Sequence, residues 1–217
     1  MAPKRSKPSS SGSFDRSKFI SAEASTRYYT SLINKVPIPE RGIEIPILPY
    51  KEINDLIRDR YWHQFCHQPN VVVVLVVREF YATVVEHVDG VAFVRGKHVP
   101  FHSQAINELL RTPNIENDEY GQYLGDHQDC NEIISTLCIE GAQWKTSHGE
   151  PVSFKRSVMK KELKVWLHFV AARLLPSTHI SDVTKDRAVL IYAIVTHKSI
   201  DVGKVISHAI LRTGRNK

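Results

Sequence analysis

Apolar residues recur along this chain mostly at three- and four-residue steps, which predicts helices more often than strands. Ser21 stands where a cap is needed for a helix through Asn34, with Tyr28 and Leu32 on one side. In "VPIPERGIEIPILP" four prolines exclude a helix and leave an extended segment. Ile53, Leu56, Ile57, Tyr61 and Phe65 then mark one amphipathic helix over 50–65. The valine-rich "NVVVVLVVREFYATVVEH" has strand composition but helix length, and we read it as a buried helix.

"DGVAFVRGKHVPF" predicts a small hairpin, with Asp89-Gly90 and Arg95-Gly96 as turn pairs. Ser103 is expected to cap a short helix that ends before Pro113. The polar stretch 114–129 reads as a surface loop, 131–138 as a helix, and the following residues to Pro151 as another loop. Three helices close the chain, at about 158–175, 185–197 and 202–211. No internal repeat interrupts this order. The fold class expected is mainly α, a helical bundle-like domain with a minor β-hairpin, with α+β as the alternative. The domain is expected to span 19–212 as one unit, between a disordered Ser/Pro-rich basic tail at 1–18 and a short basic tail at 213–217.

Charge changes this picture because it is unevenly divided. Residues 1–18 carry a net +4, residues 19–150 a net −7, and residues 151–217 a net +9, within an overall +6. Basic ends around an acidic middle point to a polyanion partner, DNA or RNA, for the C-terminal part, or to self-association. The longest apolar run, Val71–Val77, is far shorter than the roughly 20 residues of a membrane span. The N-terminus has Lys4, Arg5 and Lys7 but no apolar signal core, so the nucleus or cytoplasm is expected, with no membrane partner. Cys66, Cys130 and Cys138 lack paired spacing and are expected as reduced, structural thiols.

The candidate chemistry is sparse. On a continuous helix His63 and His67 share a face, but no HExxH glutamate accompanies them, and no metal site is assigned. The acids gather at 116–132, in the expected loop, without an anchor for a divalent ion. Phosphate-loop, nucleophile-elbow and zinc-knuckle motifs are missing, so no catalytic residue and no cofactor is assigned. The strongest candidates are basic: Lys155, Arg156, Lys160, Lys161 and Lys164, which precede and enter the 158–175 helix. On a helical wheel Leu163, Trp166, Leu167, Val170 and Leu174 form the buried stripe, opposite Lys161, Lys164 and His168. Such a lysine face can meet nucleic-acid phosphates. His168 and His179 are too far apart along the axis to share a metal, and Pro176 is expected to stop the helix at Leu175.

Several phrases occur together in one order: "PERGIEIP", "VVREFYA", "FVRGKHVPF", "TLCIEGAQW" and "LKVWLHFVAARLLPSTHISDVTKDRAVLIYAIVTHKSIDVGKVI". From about Phe19 to Ile210 the chain thereby resembles the family called "putative plant transposon protein domain". The resemblance implies a plant mobile element, retrotransposon or transposon, as the source, and carries no catalytic residues with it. The function expected is a non-enzymatic structural or nucleic-acid-associated domain of such an element. The alternatives are a metal-dependent transposase or integrase-type nuclease, and a decayed copy without activity. The family has a small residue where this chain has His197, which puts a tight turn there in question. The early stop after the last shared helix implies a truncated copy.

Overall fold

The computed structural model describes residues 14–40, 42, 51–125 and 128–215. Most of the expected tail (1–13) and most of the proline-rich segment (41 and 43–50) lie outside these. Ten α-helices and two small antiparallel sheets are present among the described residues, an α+β arrangement rich in helix. The chain divides into two compact units: one of residues 1–36, 72–100 and 211–217, the other of 37–71 and 101–210.

In the first unit, Ser21 Oγ accepts from Ala24 N at 2.9 Å and starts α1 (Ala22–Arg27), which runs on as a wider turn through Leu32. Phe19, Ala24, Tyr28 and Ala82 form the core, and Phe14 packs on it from within the stretch expected to be disordered. The valine-rich segment is helical only in its middle, α4 (Val74–Thr83), and it is not the buried helix expected: Val71–Val73 lie exposed before it, Leu75 is 49% exposed, and only Glu79, Ala82 and Thr83 of the helix are buried. The hairpin also forms, β1 (Val91–Val94) with β2 (Lys97–Pro100), and both Arg95 (φ 49°) and Gly96 (φ 75°) sit in the left-handed turn. Glu79 on α4 is buried and takes both nitrogens of Arg95, at 2.6 and 2.9 Å. Thr83 Oγ1 donates to Phe93 O at 2.7 Å. Arg95→Ala leaves that carboxylate buried without a counter-ion. It should cost about 2–3 kcal/mol in chemical denaturation, discounted because Arg95 is itself half-exposed.

The second unit holds the main core. The 50–65 helix is two pieces, α2 (Lys51–Asp59) and α3 (His63–Cys66). Trp62 N reaches back to Ile57 O and Tyr61 N to Arg58 O, with Tyr61 at φ 59°, which is the left-handed helix stop usually built on glycine. The same pair of bonds ends α5 (Ser103–Leu110) at Arg111 and α9 (Lys185–Val195) at His197. The tight turn that His197 put in question is therefore made, at φ 59°. A non-glycine residue in this conformation costs roughly 1–2 kcal/mol. His197→Gly should accordingly raise stability by about 1 kcal/mol in urea titrations.

Four further expectations change. The cap of α5 is His102, whose Nδ1 accepts from Ala105 N, rather than Ser103. The expected loop 114–129 contains α6 (Glu119–Gly125), held by Asp118 Oδ2 on Gly121 N and by Glu119 and Ser199 bonding each other. After α7 (Cys130–Leu137), β3 (Lys145–Ser147) and β4 (Glu150–Lys155) form a hairpin across His148-Gly149, where a loop was expected, and β5 (Asp182–Thr184) completes that sheet. The 158–175 helix begins only at Lys164: short turns at Arg156–Val158 and Lys161–Leu163 precede α8 (Lys164–Phe169), which widens through Val170–Leu174. Met159 pairs with Cys138 there and Lys160 N bonds Leu137 O, so the backbone is tied sideways before it can coil. Four of the five expected stripe residues are buried, Trp166, Leu167, Val170 and Leu174 all at 2% exposure or less, while Leu163 lies half-buried on the turn before α8.

α9 is buried nearly all round, and the first turn of α10 (Val202–Arg215) packs on α5 so closely that a Cβ on Gly203 would fall 2.1 Å from Ser103 O. No helix among the described residues is long and apolar enough to cross a membrane.

Candidate functional site

The five basic candidates do not share one helix face. Lys155, ending β4, pairs with Asp182 on the neighbouring strand at 2.9 Å. Arg156 Nη2 lies 2.9 Å from His168 Nε2. Lys160 donates to the carbonyls of Ser135 (3.1 Å) and Thr136 (2.8 Å), the open C-terminal end of α7. Three of the five are thus held by acceptors of the protein itself. Lys161 and Lys164 make no ion pair or hydrogen bond through their ammonium groups among the described residues, and Lys161 is exposed.

His168 follows from this arrangement. Partial burial and the adjacent Arg156 cation hold its pKa below the usual histidine value, so the fold favours the neutral ring. The unfolded chain then binds more protons just below pH 6.5, and stability falls as the pH drops through that region toward the lower folded value. Thermal unfolding from pH 7.5 to 5 should show a smaller decline for His168→Gln than for the wild type.

The thiols are free, as expected from their spacing. Burial pushes Cys66 and Cys138 each up to about 11. Both should alkylate slowly with iodoacetamide at pH 7.5, and unfolding should accelerate both. His63 and His67 are separated by the end of α3: His63 lies on its single turn and His67 is extended beyond it. The shared face is lost. No group of three His, Cys, Asp or Glu residues among the described ones could hold a metal ion.

Four of the acids of 116–132 are engaged one by one, while the Glu116 side chain is exposed. Asp118 takes Lys204 at 3.1 Å, Glu119 binds Ser199, Asp129 caps α7, and Glu132 accepts from the Tyr192 hydroxyl at 2.6 Å. Their positions serve helix ends and a tyrosine, and they do not converge.

No local sequence pattern announces an open groove of 1020 Å³ in the second unit. Ile53 and Leu56 of α2, Trp62, Leu163 and Trp166 give it an apolar floor, completed by Val195 and Ile200. Carboxylates stand along it: Glu52, Asp55 and Asp59 on α2, Glu119 on α6, and Glu162 on the turn before α8. The lining cations are Arg60 and Lys161. Arg60 is tucked over the Trp62 ring at 5.2 Å and bonds Ile194 O, and its burial lowers its pKa to about 10.

Compared with known families, the sequence matches the one described as "Putative plant retrotransposon-related domain" over residues 58–217. The chain belongs to that family. The match takes in β1–β2, α4 through α10 and most of the groove, and it begins after "PERGIEIP" and before "VVREFYA". No curated protein and no solved structure matches the chain.

Proposed function

We propose that this domain is a non-enzymatic, structural protein-interaction module of a plant retrotransposon-derived protein. One observation carries the reading: the second unit has an open, apolar-floored groove rather than a set of convergent reacting groups. A floor of tryptophan and aliphatic side chains beneath a polar rim suits the side chains of another polypeptide. The separate engagements of Asp118, Glu119, Asp129 and Glu132 support the same reading over a metal-dependent nuclease.

The test is incubation of the full chain with supercoiled plasmid and single-stranded RNA, in Mg²⁺ and in Mn²⁺. Intact nucleic acid is expected in both. Cleavage that disappears when Asp118 or Glu119 is replaced would contradict the proposal.

A second reading, accessory contact with DNA or RNA, rests on the net +9 of residues 151–217 and on Lys161 and Lys164. Within it Lys155, Arg156 and Lys160 are lesser contributors, because a phosphate must compete with their present partners.

A further inference from the structure

We infer that the groove of the second unit takes a Lys/Arg-bearing amphipathic peptide from a partner protein; this rests on the protein-interaction reading above. The argument is charge complementarity laid over an apolar floor. Of the lining side chains, five are carboxylates and two are fixed cations. Arg60 is already turned onto Trp62 and Ile194 O. Asp55 and Asp59 share the Arg58 guanidinium, at 2.8 and 3.1 Å, and Glu119 is held by Ser199.

Glu52 and Glu162 are different. Both are exposed, both line the groove from separate elements, and neither makes a hydrogen bond or ion pair among the described residues. A ligand whose apolar face rests on the floor therefore presents its polar side to uncompensated negative charge. Lysine or arginine at those positions gains attraction and loses little hydration, because the rim stays wet. A phosphate backbone meets repulsion from these carboxylates, and of the lining side chains only Lys161 offers it an exposed cation. Exposed Tyr61, also in the lining, offers a ring face to a ligand cation.

The probe is a 14-residue leucine/lysine amphipathic helix, set against the same peptide with glutamate for every lysine, titrated calorimetrically into the full chain at about 0.1 M salt. The lysine peptide should bind at least tenfold more tightly than the glutamate peptide. Glu52→Lys/Glu162→Lys should weaken it about tenfold, while Glu150→Lys, on β4 outside the groove, should leave it unchanged. A Leu163→Glu variant, checked for native tryptophan fluorescence, should lose binding of either peptide. Equal binding of both peptides, abolished by Leu163→Glu, overturns the basic partner but leaves the protein-interaction reading standing. Binding that ignores every groove substitution, or no binding, overturns both.

Discussion

Phe169→Ala should destabilise the second unit by about 3–5 kcal/mol, the range for emptying a buried phenylalanine site that cannot collapse. Phe169 is fully buried where three other aromatic rings meet. It stacks on Trp62 (5.5 Å between centroids, 9° between planes) and meets Phe65 and Trp166 edge-on at 5.7 and 5.6 Å. These rings come from α3, the residue before it, and α8, so their truncation loosens the joint that holds α2 and α3 against α8. Rigid rings on three sides leave little able to move into the space. The three tryptophans of the chain, Trp62, Trp144 and Trp166, all lie in this unit, so urea-induced fluorescence change reads its unfolding directly. A loss below about 1 kcal/mol would mean that the cluster repacks, contrary to the close packing argued here.

The second large effect belongs to Asp201. Its buried carboxylate accepts from Asn107 Nδ2 at 2.8 Å, Ile115 N at 3.2 Å and Lys204 N at 2.9 Å. Asn107 in turn accepts from Gly203 N and Thr112 Oγ1, both at 2.8 Å. The two side chains tie the start of α10 to α5 and to the segment before α6. Asp201→Ala removes a helix cap and takes an acceptor from two part-buried backbone donors and from the buried Asn107 Nδ2, which keeps Asn114 Oδ1, so a loss of about 2–3 kcal/mol is expected. Asp201→Asn keeps one acceptor and should lose less. Equal losses for the two variants in the same urea titration would contradict this, because the retained amide oxygen would then contribute nothing.

The sequence made some of these features readable and hid others for physical reasons. The Leu163–Leu174 stripe, the hairpin at Arg95-Gly96 and the stop at Pro176 are local patterns, and each is present. The three left-handed helix stops were hidden because Tyr61, Arg111 and His197 occupy positions where glycine is the usual signal. α6 was hidden because one residue of it, Tyr120, is buried, which leaves no apolar period to follow. β3 is exposed at every position and has no alternation to read.

The site was legible only as charge. The run from Lys155 to Lys164 is visible in any reading, but Asp182 and the end of α7, which hold Lys155 and Lys160, lie about 25 residues away along the chain. The groove draws on four separated stretches, 52–62, 113–119, 161–166 and 195–200, and no single window contains its floor.

On the function proposed above, the domain meets proteins through its groove and offers nucleic acid only Lys161 and Lys164 of the five basic candidates. The direct measurement is the affinity of the full chain for a DNA duplex over a salt series. Two phosphate contacts predict a log–log slope near −2, and five predict one of about −4.5. A slope no steeper than about −2 agrees with the three held cations. A slope of about −4 or steeper that falls back toward −2 in the Lys155→Ala/Arg156→Ala/Lys160→Ala variant would contradict it.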